Sequence, residues 1–186
     1  MADEITIELE GLDGLLAELR AFPQAVQARV LRGAAATGAS VIRKEAILRA
    51  PVSTGPVEAG HPPPGTLKKA IYQVRMLQEC TPTREVFKVG VRRGKRARSV
   101  GKSGANLDAF YASWVEFGHF ARVPHEMTKT AKAAGRMLGV AKWVPAKPFM
   151  RPAIQAKGED ALMAMRDYIQ QNLSLATTAM RYLRAA

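Results

Sequence analysis

PQAVQARVLRGAAATGASVIRKEAILRAP, residues 23–51, reads as one long helix. Pro23 suits a first turn, where its missing N–H costs nothing, and Pro51 ends the run. Between them Val26, Val30, Ala34, Gly38, Val41 and Ile42 recur at helical spacing, while Gln27, Arg29, Arg43 and Lys44 take other faces. The middle of the helix, GAAATGAS, is almost all small residues. Its two glycines each give up about 1 kcal/mol of helix propensity, so something is expected to pack closely against this backbone. A sheet face or the helix of a neighbouring subunit would both satisfy that requirement.

Working outward, ITIELEGL alternates Ile5, Ile7 and Leu9 with polar residues and predicts a half-buried strand ended by Gly11. Asp13 is placed to cap a short helix carrying Leu15, Leu16 and Leu19. Beyond Pro51, residues 52–65 are too rich in Pro and Gly for regular structure and predict a loop. IYQVRML and REVFKVGV then alternate across the turn QECTPT, which predicts a hairpin with Tyr72, Val74 and Met76 on one face. Residues 92–107 lack apolar periodicity, and residues 119–147 are basic and irregular, with a helical segment through MTKTAKAAGRML. VEFG reads as a short buried strand, Val115 and Phe117 inward and Glu116 outward, with a tight exit at Gly118. Pro148 and Pro152 bracket an extended Phe149 and Met150, and a last helix starts at Pro152 with Ile154, Ala161, Leu162, Met165, Ile169 and Leu173 inward.

These elements give an α+β fold: a small, mainly antiparallel sheet of about four strands, packed by the long N-terminal-half helix and the C-terminal helix. One domain over 1–186 is expected, with loop insertions at 52–65, 92–107 and 119–147. Cys80 is the single cysteine, which rules out an internal disulfide. No secretory signal and no run of ~18 apolar residues is visible, so the protein is expected in a cytosol with no membrane span.

The formal charge is +12, from 28 Lys and Arg against 16 Asp and Glu. Residues 1–91 hold eleven cations and ten acids, residues 92–151 thirteen and three, and residues 152–186 four and three. An excess so placed attracts phosphates or an acidic protein face.

Motifs for catalysis fail on spacing. GKS at Gly101 to Ser103 would need a glycine where Arg96 stands to form a phosphate loop. HEMTK at His125 puts Lys129 where a zinc-binding helix needs its second histidine, and His119 and His61 complete no ligand set. Ser53, Thr54, Ser99, Ser103 and Ser113 all lack the G-x-S-x-G elbow. Glu116 stands as a lone carboxylate among aromatics, a residue to pair with an arginine across a subunit boundary or to cap a turn. No catalytic role, cofactor, metal or small-molecule substrate is therefore expected.

Four pieces, in order, resemble one family: GLDGLLAELRAFP, GAAATGASVIRKEAILRAPVSTG, YASWVEFGHF and PAKPFMRPAI. The matching positions are Ala50, Pro51, Thr54 and Gly55, then Tyr111, Val115, Glu116, Phe117 and Gly118, then Pro148 to Ala153. This order is similar to that of the small neck proteins of long-tailed bacteriophages, which sit at or near the junction of head and tail. PVEAGHPPPG before Thr66, and the long basic stretch between Gly118 and Pro148, depart from the family's pattern.

The resemblance implies a structural virion protein, assembled in the bacterial host cytoplasm. It implies a self-assembled ring, a hexamer favoured, that completes or terminates the tail tube and joins it to the head connector. Interface candidates are Tyr111, Trp114, Glu116, Phe117, Phe149, Met150 and Arg151. Arg92, Arg93, Lys95, Arg96, Arg98 and Lys102 form a basic loop facing a partner or packaged DNA. The alternative reading is a DNA-binding protein that uses the cationic segments 92–102 and 122–147.

Overall fold

The structure, a computed structural model, describes residues 13–20, 22, 24–54, 62–81, 83–94, 107–124 and 139–185. The strand expected at Ile5 to Leu9 and the helical segment expected at 127–138 lie outside the described residues. Along the chain run α1 (Asp13–Arg20), α2 (Gln24–Arg49), α3 (Thr66–Ala70), β1 (Ile71–Arg75), β2 (Phe87–Val91), α4 (Ala112–Phe117), β3 (His119–Pro124), β4 (Gly139–Val144) and α5 (Met150–Ala185). The fold is α+β, but its described strands form two two-stranded sheets, β1 with β2 and β3 with β4, in place of one four-stranded sheet. The chain divides into two compact units: residues 1–48, 71–90 and 153–186 form the first, and residues 49–70 and 91–152 the second.

In the first unit α1 turns into α2 through a short bonded corner. The Phe22 N–H donates to the Leu19 carbonyl at 3.1 Å, and the Gln27 side-chain amide donates to the carbonyls of Arg20 at 3.2 Å and Phe22 at 2.5 Å. Leu19, Val30, Ala34, Ile169 and Leu173 form a buried cluster, flanked by Phe22, Val26, Leu31, Met165 and Tyr168. What packs against the small-residue middle of α2 is therefore the chain's own α5. A Cβ on Gly33 would fall within the Tyr168 ring, and one on Gly38 would come to 2.5 Å from the Met165 sulfur. The glycines let two helices approach where larger residues would hold them apart.

The hairpin β1–β2 forms as the alternation predicts. Tyr72 and Met76 are half-buried and Val74 between them is exposed, while Ile71 on the other face is buried at 3% exposure. Arg75, on the Ile71 face, instead grips Glu85 through Nε at 2.6 Å and a terminal nitrogen at 2.5 Å, and Arg32 stands 3.6 Å from the same carboxylate. The Glu85 side chain is only 4% exposed, and the Arg75 bonds hold its carboxyl below the usual glutamate range. Cys80 fastens the same turn: its thiol donates to the Met76 carbonyl at 3.1 Å, and its sulfur accepts the Val86 N–H at 3.5 Å.

In the second unit α3 begins at Thr66, whose N–H and hydroxyl both donate to the Pro63 carbonyl, at 3.1 and 2.7 Å. β3 and β4 pair antiparallel from His119 opposite Val144 to Pro124 opposite Gly139. This overturns the expectation that 119–147 is a loop insertion throughout. Residues 112–117 overturn another expectation, because they form the helix α4 and not a strand. The Ala112 N–H bonds the Ala109 carbonyl at 3.0 Å and the Val115 N–H bonds the Tyr111 carbonyl at 3.1 Å, which winds the segment. Gly118 ends it at φ 77° and ψ 168°, a positive-φ conformation essentially confined to glycine, in which a Cβ would also lie 2.6 Å from the Trp143 ring.

Candidate functional site

Winding 112–117 into a helix decides which side chains of YASWVEFG face inward. Ala112 and Glu116, four residues apart, lie on the buried face, whereas Trp114 and Phe117, three apart, lie on the exposed one. The sequence expectation placed Phe117 in the core and Glu116 outside, and both are reversed. Phe117 is 46% exposed and Glu116 8%.

Buried Glu116 has a defined task. Its Oε2 accepts the N–H groups of Phe149 at 2.8 Å and Met150 at 3.0 Å, and its Oε1 accepts that of Arg151 at 3.1 Å. These donors sit at the start of the 36-residue helix α5, where backbone N–H groups have no intrahelical acceptor and a negative charge meets the positive end of the helix. The expectation that this carboxylate caps a turn takes the form of a cap on a helix start, made from 33 residues away along the chain. The Lys147 N–H adds a bond to the Val115 carbonyl at 2.8 Å, so VEFG and PFMRPA form one bonded assembly. α5 therefore starts at Met150, two residues before the expected Pro152, and Phe149 is buried at 1% exposure.

On the outer face stand large aromatic side chains. Phe110, Trp114, Phe117, Phe120 and Trp143 are each between 46% and 69% exposed. Phe110 meets Trp114 edge-to-face at 5.6 Å, and Phe120 meets Trp143 at 4.9 Å. The His119 ring stacks on Trp114 at 5.2 Å, and the exposed Arg151 guanidinium lies 4.5 Å from the Phe117 ring centre. His119 is half-buried with its Nδ1 enclosed and without a hydrogen-bond partner. Tyr111 is half-buried; burial raises its phenol above the ordinary value, opposed by a backbone bond from Leu67.

Of the other expected positions, Met150 is half-buried beside the cap. In the basic loop, Arg93 is exposed and the backbone of Arg92 is bonded to Ala70 and Ala109. Lys95, Arg96, Arg98 and Lys102 lie outside the described residues. Trp143 is not among the candidates read from the sequence; it stands next to last in β4, where Val140, Lys142 and Val144 alternate with Ala141 and Trp143. Phe110 was missed because it precedes the recognisable stretch.

Both described carboxylates here accept backbone N–H groups: Asp108 accepts that of Gly94 at 2.8 Å, as Glu116 accepts the three at α5. Among the described residues no group of three or more His, Cys, Asp or Glu is placed to hold a metal, and no helix is long and apolar enough to cross a membrane. What the arrangement supplies is a set of exposed aromatic side chains, those of Trp114 and Phe117 on a helix tied from behind to the start of α5 by the Glu116 cap. Comparisons with protein-family models, with curated proteins and with solved structures find no match.

Proposed function

We propose that this chain is a structural neck protein of a long-tailed bacteriophage. In this reading it forms a ring, with a hexamer favoured, that completes or terminates the tail tube and joins it to the head connector. It works in the virion, by contacts alone, and needs no cofactor, small-molecule substrate or membrane.

One observation carries the reading: the exposed aromatic face of the second unit. Large aromatics left about half exposed represent apolar area that association removes from water, and Trp, Tyr and Phe are the residues enriched where proteins meet. The Glu116 cap ties the segment bearing Trp114 and Phe117 to the start of α5, so two of the segments that resemble the neck family are hydrogen-bonded to each other. The small-residue stripe of α2, the other surface considered for subunit contacts, is covered by the chain's own Tyr168 and Met165.

The test is electron microscopy of virions together with an in vitro head-tail joining assay. The wild-type chain is expected in a closed ring at the neck, with sixfold symmetry. Trp114→Ser with Phe117→Ser should retain the melting temperature and join heads to tails poorly. A neck built without this chain would refute the assignment, and normal joining by the double variant would remove the aromatic face from it.

A further inference from the structure

The charge of this protein is divided between its two units completely. Segments 1–48, 71–90 and 153–186 together hold twelve Lys and Arg and twelve Asp and Glu, so the first unit is neutral. Segments 49–70 and 91–152 hold sixteen cations and four acids, so the second unit accounts for the entire +12 of the chain. Its four acids are Glu58, Asp108, Glu116 and Glu126. The two that are described are buried, at 3% and 8% exposure, with their oxygens turned onto backbone N–H groups. The described charges at the surface of this unit therefore have one sign. Lys69 comes from α3, Arg93 follows β2, Lys142 stands on β4 and Lys147 on the link to α5, all exposed.

A one-signed surface narrows the class of partner. Protein interfaces fix their register by meeting each charge with its opposite, so a protein partner would need an acidic face with one sign throughout. The phosphate backbone of a nucleic acid repeats a single negative charge, and cations alone match it by releasing condensed counterions. Between single and double strands the aromatics decide. A single-strand site needs free aromatic faces for bases to stack on. Here one face of Trp114 is covered by His119 and one face of Phe117 by Arg151, and Phe110 and Phe120 sit in edge-to-face pairs, so the rings pack on neighbours of their own chain and do not form an open row of stacking platforms.

We infer that the second unit docks on the phosphate backbone of duplex DNA through Lys69, Arg93, Lys142 and Lys147, without reading sequence. The neutral first unit takes no part. This goes beyond the assembly reading and does not depend on it, since the docking belongs to each chain separately.

The experiment is fluorescence anisotropy of the full-length protein with a labelled duplex of arbitrary sequence, between about 50 and 200 mM salt, alongside a single strand of equal length and poly-glutamate. The wild type should prefer the duplex, and log Kobs should fall linearly with log salt. Lys69→Gln, Arg93→Gln, Lys142→Gln and Lys147→Gln combined should weaken duplex binding at least about tenfold and flatten the slope by up to ~3.6, four contacts at ~0.9 each. The matched control removes four exposed cations from the neutral unit, Lys44→Gln, Arg84→Gln, Lys88→Gln and Arg166→Gln, and should stay within about twofold of wild type. Equal losses in the two variants, or tighter binding of the single strand or of poly-glutamate, would overturn the inference. Scoring ring formation on the same variants by microscopy separates the two proposals, because a protein that builds necks and ignores duplex loses only this one.

Discussion

At the scale of single residues, Glu116 and Phe117 exchange the roles their neighbourhood implies, and substitution should reveal it. Glu116→Gln preserves shape but removes the anion that three N–H groups share, and one end of the new amide would present its own N–H to them. Hydrogen bonds to charged groups are worth about 1.5–3 kcal/mol, so thermal melts should show a loss of that order. Phe117→Ala removes a half-exposed ring and should cost less than about 1 kcal/mol, with its defect in assembly. Glu85 is the second informative carboxylate. Because the Arg75 bonds lower its folded-state pKa, it contributes stability above the ordinary glutamate pKa, and that contribution disappears as pH falls through the lowered value. Glu85→Gln should therefore melt earlier than wild type near pH 7, with the gap closing as pH falls through the lowered value. A gap that stays constant across that range would mean the ion pair adds nothing.

At the scale of elements, what could be read depended on length. α2 was legible almost to the residue because 26 residues hold one apolar period between two prolines. The need for a close neighbour along GAAATGAS was equally legible, while the identity of that neighbour was not, since a contact with α5 across more than a hundred residues leaves no local trace. α4 was misread because six residues fit two periods at once. Val115 and Phe117 are spaced as in a strand, and Trp114 and Phe117 as in a helix. β3 and β4 were hidden by their cations, with Arg122 and Lys142 interrupting apolar runs that only pairing makes regular. The α2–α5 contact makes a direct prediction. Gly33→Val would force a branched side chain into the Tyr168 ring, and overpacking of this kind costs about 1–3 kcal/mol even in a helix that glycine itself weakens. Gly14→Ala, in α1 with open space around it, should instead stabilise slightly or do nothing. Chemical denaturation of the two variants, read as midpoints, checks the contrast.

For the molecule as a whole, the linear sequence located the charge excess near residues 92–151, but its completeness appeared only when segments far apart in the chain were grouped by the fold. Glu45, Glu79 and Asp160 balance cations within the first unit, while Lys68 and Lys69 join the basic segments of the second. A neutral unit and a unit of net +12 should respond to salt in different ways. Like charges repel over roughly 10 Å at 0.1 M salt and about 3 Å at 1 M, so added salt relieves the second unit of self-repulsion. The first unit has no net charge to relieve, and its half-buried Arg75–Glu85 pair is screened less than an exposed pair would be. Hydrogen exchange measured near 0.05 M and again near 0.5 M salt should therefore show α4, β3 and β4 gaining protection, with α2 and the body of α5 nearly unchanged. Duplex DNA added at low salt should give the same selective gain, because phosphates neutralise the same cations. Uniform gain across both units would mean that the charge division has no energetic consequence for the fold.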